Sequence, residues 1–162
     1  MHPTYDELIE AATAACQRHY GARLISVAVF GSVGRGTPAP DSDIDLLIVA
    51  DPLPAGRLAR SDEFAAVENA LTQPLSRAHE AGLHPTFSAI FKTPAEVTAG
   101  SPLFLDMLDD ARIVFDRDGF LREAFDAFAT RLARLGARRI WRGEHWFWDL
   151  KPDYKPGDVF EL

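Results

Sequence analysis

The clearest periodicity in the chain lies near its end. Leu121, Phe125, Phe128, Leu132 and Leu135 recur at helical spacing and predict a long final helix with one apolar face. A similar stripe of Leu8, Ala11, Ala12 and Ala15 predicts a first helix, opened by the capping box Thr4-Tyr5-Asp6-Glu7 and closed by Gly21. Between these helices, the apolar runs 24–30 and 43–50 read as strands, and the alternation over 84–91 reads as a third. Residues 51–56, with Pro52 and Pro54, form a loop; Phe64, Val67 and Leu71 then mark a helix that Pro74 should stop or kink. Thr93-Pro94-Ala95-Glu96 caps a short helix and Ser101-Pro102 starts another. Residues 112–115 follow as an edge strand, turning through Asp116-Arg117-Asp118-Gly119 into the final helix. Strands and helices interleave, so the class is α/β (α+β).

Composition narrows the picture. At 162 residues the chain can build one good core but not two full domains, and 47% apolar residues fit a packed globular protein. A net charge of −7 argues against general nucleic-acid binding. The single cysteine, Cys16, cannot form an internal disulfide; it lies in the first helix with no histidine beside it and reads as buried filler in a protein of the reducing cytoplasm. No apolar run approaches a membrane span, and the N-terminus lacks the basic and apolar regions of a signal peptide.

Candidate chemistry concentrates in two short stretches. Gly31-Ser32-Val33-Gly34-Arg35-Gly36 follows the first strand, and Ser42-Asp43-Ile44-Asp45 opens the second. Strand parity turns Asp43 and Asp45 to one face, about 7 Å apart along the chain, so both can reach one metal cluster. Hard oxygen ligands of this kind suit Mg²⁺ (or Mn²⁺), which takes waters and substrate phosphates as its remaining ligands. Gly31 lets backbone approach a ligand closely, Ser32 supplies a hydroxyl and a turn N–H, and Arg35 adds a charged donor fork. A short helix starting there would aim free N–H groups at a phosphate tail. Other glycine motifs do not fit: the spacing reverses the dinucleotide fingerprint, no Gly-Lys-[Ser/Thr] follows, and Ser32 lacks the elbow of a serine hydrolase.

Val29-Phe30-Gly31-Ser32-Val33-Gly34-Arg35-Gly36 with Ser42-Asp43-Ile44-Asp45-Leu46 resembles the signature of the minimal nucleotidyltransferase (MNT) family, within the DNA polymerase beta-like nucleotidyltransferase superfamily. The likeness is dense over 24–50 and looser over 84–118. It implies a nucleotidyltransferase fold, a small mixed β-sheet with flanking helices, spanning residues 1–118. The C-terminal helix and aromatic tail, 119–162, would then pack on the same domain. It also implies Mg²⁺-dependent transfer of a nucleoside monophosphate from a nucleoside triphosphate, ATP in the first instance. Asp43 and Asp45 would be the catalytic metal ligands, with Gly31, Ser32, Arg35 and Ser42 at the phosphates. The acceptors that the resemblance suggests are a protein hydroxyl, as in antitoxins that adenylylate a HEPN-type toxin, a small molecule such as an aminoglycoside, or RNA. The tail from Trp146 to Leu162 looks like the end of a prokaryotic MNT-like subgroup.

One departure matters. Active members of the family carry a third acid on a later strand, whereas the alternating face of 84–91 offers His84, Thr86, Ser88 and Ile90. Residues 82–95 contain no Asp or Glu, so a register error cannot rescue the assignment. An acid must come from elsewhere, such as Glu96 or Asp106, or the chain is a nucleotide-binding or protein-interaction module with weakened turnover. Two further groups have plainer readings. Arg131, Arg134, Arg138 and Arg142 would form a basic stripe along the final helix, a solvated face before an RNA or polyphosphate site. Trp141, Trp146, Phe147, Trp148 and Tyr154, with Lys151 and Lys155 nearby, read as core and tail packing before a base-stacking platform. The five histidines show no zinc-site spacing, and His145 beside Glu144 reads as surface or interface.

Overall fold

The computed structural model describes residues 3–143 and 145–160; Glu144 and Leu162 lie outside the described residues. Helix α1 (Pro3–Tyr20) begins at Pro3, ahead of the cap expected at Thr4, and a turn of 3₁₀ helix leads from it into β1 (Leu24–Phe30). One helical turn, α2 (Gly31–Gly34), joins β1 through a loop to β2 (Ile44–Ala50). Two helices follow, α3 (Arg57–Ala70) and α4 (Thr72–Glu80), and then β3 (Phe87–Lys92). Helices α5 (Pro94–Thr98) and α6 (Phe104–Asp110) lead to β4 (Arg112–Asp116), α7 (Phe120–Leu135), and a hairpin of β5 (Arg138–Arg142) and β6 (His145–Asp149).

The main sheet runs β3-β2-β1-β4, with β2 and β3 parallel and the other pairs antiparallel. Both faces are covered, which is why β1 and β2 read as continuous apolar runs. Leu24, Val27, Val29, Ile44, Leu46 and Ile48 face α1, α3 and α4 in one core. Ala28, Leu47 and Val49 face the other way, toward Val97, Phe104, Met107, Leu121, Phe125, Phe128 and Leu132 of α5, α6 and α7. Each buried large aliphatic or aromatic side chain contributes roughly 1.5–3 kcal/mol, so α7 is anchored on the sheet by its apolar stripe. The parity that sends Leu47 and Val49 to the second core carries Asp45 to the same face, at the open end of β2.

Four expectations are corrected. Pro74 does not close the helix before it; α3 ends at Ala70, and Pro74 occupies the first turn of α4, where a missing N–H costs nothing. Strand β3 begins at Phe87, with His84 and Thr86 in the approach to it, although Thr86, Ser88 and Ile90 keep the expected parity. The basic helical stripe does not exist. Gly136, at φ 71°, ends α7, so Arg131 and Arg134 are helical while Arg138 and Arg142 lie on β5. The tail packs only in part: Trp148 and Leu150 rest against the second core and Arg139 stacks near Trp146 and Trp148, but Trp141, Phe147 and Tyr154 are exposed. Cys16 is fully buried, and burial pushes its thiol up to about 12, which removes it as a nucleophile.

Candidate active site

Gly31 begins the turn between β1 and β2 at φ 68°, a backbone conformation that glycine adopts without strain. A Cβ at this position would run into the Asp45 carboxylate, so the missing side chain is what lets Asp45 lie against the turn. Gly34 is tighter still toward main chain: a Cβ there would come within 2.7 Å of the Asp110 carbonyl and 2.8 Å of the Val29 carbonyl. The turn is therefore wedged between the end of β1 and the end of α6. The Gly31 carbonyl accepts Arg35 N–H at 3.0 Å and the Ser32 carbonyl accepts Thr37 N–H at 2.9 Å, which fixes the loop that follows.

Asp45 stands opposite Phe30 of β1 and Ser88 of β3. Its partial burial raises its pKa above the ordinary 3.8; the Ser88 hydroxyl lowers it, the Asp43 charge raises it, and Arg35 lowers it. Asp43 is exposed and accepts the Thr86 hydroxyl at 2.5 Å. Of the four positions on the face expected to carry a third carboxylate, Thr86 and Ser88 thus offer hydroxyls, each donated to one member of the acidic pair. Tyr5 ties the connecting loop to α1 by donating to the Ala39 carbonyl at 2.8 Å and the Ser42 carbonyl at 3.2 Å.

The other expected site residues are placed as follows. Arg35 is half-exposed and forms an ion pair with Asp110 at 3.0 Å, while its charge still reaches Asp45. The Ser42 hydroxyl accepts Ala39 N–H at 2.8 Å, which commits it to loop geometry. Glu96 does not serve as the missing acid: it takes a bidentate pair from Arg60, at 2.8 and 3.1 Å, and caps α5 with Thr93. Those contacts lower its pKa to about 2. Asp106 lies on α6 beside Asp110 and within the field of Arg35 and Arg139; burial raises its pKa. Sequence reading had no signal for the Arg35–Asp110 and Thr86–Asp43 contacts, which join residues 75 and 43 positions apart.

Among the described residues no three histidine, cysteine or acidic side chains converge as a full metal cage. The donor set fits a hard cation held by two carboxylates whose other ligands come from water and phosphate, which is the habit of Mg²⁺. A mixed sheet that presents paired acids beside a glycine-serine turn defines a nucleotidyl-transfer architecture.

The family model described as nucleotidyltransferase domain matches residues 8–91, more than half of the chain, and this protein belongs to that family. It is a transferase of the nucleotidyltransferase class. A protein of Methanocaldococcus jannaschii, provisionally named a protein adenylyltransferase, is 27% identical over 132 residues, covering 80% of this chain and 84% of the relative. Among solved structures, a toxin-antitoxin crystal structure with AMP-PNP is 17% identical at a TM-score of 0.48, covering 78% of this chain and 92% of that one. A MntA-HepT toxin-antitoxin structure is 11% identical at a TM-score of 0.44, covering 84% and 93%.

Proposed function

We propose that this protein transfers a nucleoside monophosphate, adenylyl in the first instance, from a nucleoside triphosphate to an acceptor hydroxyl, with Asp43 and Asp45 holding Mg²⁺ or Mn²⁺. The observation that carries the reading is that the Asp45 carboxylate occupies the space a Gly31 Cβ would fill, which sets one member of the acidic pair directly against the glycine-serine turn. In this reading Gly31 and Ser32 hold the β- and γ-phosphates by backbone and hydroxyl, and Arg35 exchanges its pairing with Asp110 for a phosphate oxygen. The bound cation would neutralise phosphate charge and align the triphosphate for in-line displacement. The acceptor oxygen bonds to the α-phosphorus, the α–β phosphoanhydride bond breaks, and pyrophosphate leaves. The hydroxyl proton passes to water, because Ser88 stands where a third carboxylate would receive it. Residues 119–162 belong to the same functional unit, since α7 closes the face that carries the acidic pair.

The name of the archaeal relative supports a protein hydroxyl as acceptor, and the family resemblance supports a HEPN-type toxin as one such protein. Ser88 beside Asp45 favours a second reading, a nucleotide-binding module with weakened turnover. Calorimetry and labelled-nucleotide transfer test both. Nucleotide binding that tightens with Mg²⁺, and loses that dependence when Asp43 and Asp45 are both changed to Asn, is expected. Equal affinity with and without metal would overturn the active-site assignment, and metal-dependent binding with no transfer to any acceptor would leave the weakened module.

A further inference from the structure

β3 is the edge strand of the main sheet, and among the described residues no strand pairs with its outer side. Two contacts fix which of its backbone groups point outward. The Thr86 carbonyl accepts Ile44 N–H of β2 at 2.8 Å, so Thr86, Ser88 and Ile90 turn their backbone inward. The alternate residues Phe87, Ala89 and Phe91 turn theirs outward, and the Phe91 carbonyl accordingly accepts Arg60 of α3 at 3.2 Å. Arg60 thus caps one end of the edge, while Ala89 keeps an outward N–H and C=O over a groove of about 570 Å³. One end of the groove is Ser88, the residue that hydrogen-bonds Asp45. Ile90 and Leu103 supply apolar wall, and Arg57, Arg60 and Lys92 bring three cations to the far end against the single carboxylate of Glu96.

Building on the nucleotidyl-transfer reading, we propose that this groove is the acceptor site for an extended acidic polypeptide segment, which adds to the edge of β3 and presents its hydroxyl at the Ser88 end. Edge addition uses main-chain hydrogen bonds for affinity and alternate side-chain pockets for selection. A strand advances about 3.3 Å per residue, so the distance from Ser88 to Lys92 is about 13 Å. A hydroxyl residue at the Asp45 end therefore places the residue four positions along it beside Arg57 and Lys92, where an aspartate or glutamate is matched and a lysine is repelled. The paired backbone groups and apolar walls favour a peptide over RNA, whose binding needs a longer cationic track and an aromatic stacking surface.

The test uses the full-length protein with fluorescein-labelled nonapeptides, each bearing one Ser, Thr or Tyr and an Asp, Ala or Lys four residues away. Polarisation is measured with Mg²⁺ and a non-hydrolysable ATP analogue. The Asp peptides are expected to bind best, and R57E combined with K92E, both at the groove rim, should weaken them by about tenfold and reverse the preference toward Lys. N-methylation walked along the best peptide should impair binding at every second amide, the signature of strand addition. No preference among the three peptides, an N-methyl scan without alternation, or displacement by oligouridylate with tighter affinity than any peptide would each overturn the proposal. Metal-dependent nucleotide binding would stand in all three cases, whereas its loss alone would remove the nucleotidyl-transfer reading and not the groove.

Discussion

Gly31→Ala separates the two demands that the turn makes on its first residue. The first is conformational: φ of 68° in an L-residue costs about 1–2 kcal/mol. The second is steric, because the new Cβ meets the Asp45 carboxylate, and crowding of this kind in a packed site adds about 1–3 kcal/mol. The total is roughly 2–5 kcal/mol, or a fall of roughly 5–15 °C in thermal midpoint for a chain of this size. Gly36→Ala is the natural control. Gly36 has φ of 77° but nothing within 4 Å of a Cβ, so it bears only the conformational cost of about 1–2 kcal/mol. Scanning calorimetry should therefore show a larger loss for G31A, and in a D45A background the extra loss should disappear, a coupling measurable as a double-mutant cycle. Calorimetric titration should show G31A without Mg²⁺-dependent ATP binding and G36A with it. Equal midpoints for the two variants, or additivity of G31A with D45A, would refute the argument that Gly31 exists to admit Asp45.

Asp45→Asn should raise the thermal midpoint of the metal-free protein at neutral pH. A raised folded-state pKa means that stability is fully present below the ordinary value of 3.8 and is lost as pH rises through the folded value, so the gain should vanish in strong acid. Glu96 has the opposite sign. Its pKa of about 2, against an ordinary 4.5, contributes stability above pH 4.5 that is lost as pH falls toward 2, about 1 kcal/mol once solvent screening at this part-exposed pair is allowed for. Urea midpoints of wild type and E96Q should converge over that window. Ser88→Asp should restore a carboxylate beside Asp45 and raise labelled-nucleotide transfer by about 10² to 10⁴, the usual worth of a general base; no increase would mean that the proton is handled elsewhere. Arg139→Ala removes a guanidinium 4.5 Å from the Trp146 ring and paired with Asp109 at 2.9 Å, and should cost about 1–2 kcal/mol with a red shift in tryptophan fluorescence.

Local rules carried the reading as far as they reach. Strand β1 has the bounds expected from its apolar run, because Gly31 both ends the run and starts the turn. The Thr93 cap, the turn through Gly119 and the buried stripe of α7 were legible for similar reasons: each is decided within a few residues. The helix after Leu71 was not, because a proline read alone signals a stop, whereas its place in the first turn depends on where the new helix begins. The hairpin was missed because arginines spaced by three, four and four imitate a helix face. Gly136 before them and the aromatic, β-branched content of Ile140, Trp141, Trp146, Phe147 and Trp148 argued for strands. At the site, the facing of Asp43, Asp45, Thr86 and Ser88 followed from strand parity. The partners of Arg35, Glu96 and Asp43 come from distant segments, and sequence spacing carries no trace of them.

The electrostatics of the site make most sense with a cation that the chain does not itself provide. Burial of Asp45 and the charge of Asp43 beside it both work against ionisation, and a folded domain normally answers such a pair with an arginine. Arg35 is at hand, yet it is held by Asp110; Arg60, reaching from α3 to the edge of β3, is held by Glu96. Among the described residues the hydrogen-bond partners of the acidic pair are the neutral hydroxyls of Thr86 and Ser88, which orient carboxylates without cancelling their charge. A full salt bridge to Asp45 would stabilise the empty fold and would then have to be broken for every divalent ion that entered. Holding Arg35 one contact away, on the end of α6 against which Gly34 is wedged, keeps the acids available and the arginine within reach of the same phosphates. Stability given up at Asp45 is in this sense the structural counterpart of affinity for metal and triphosphate.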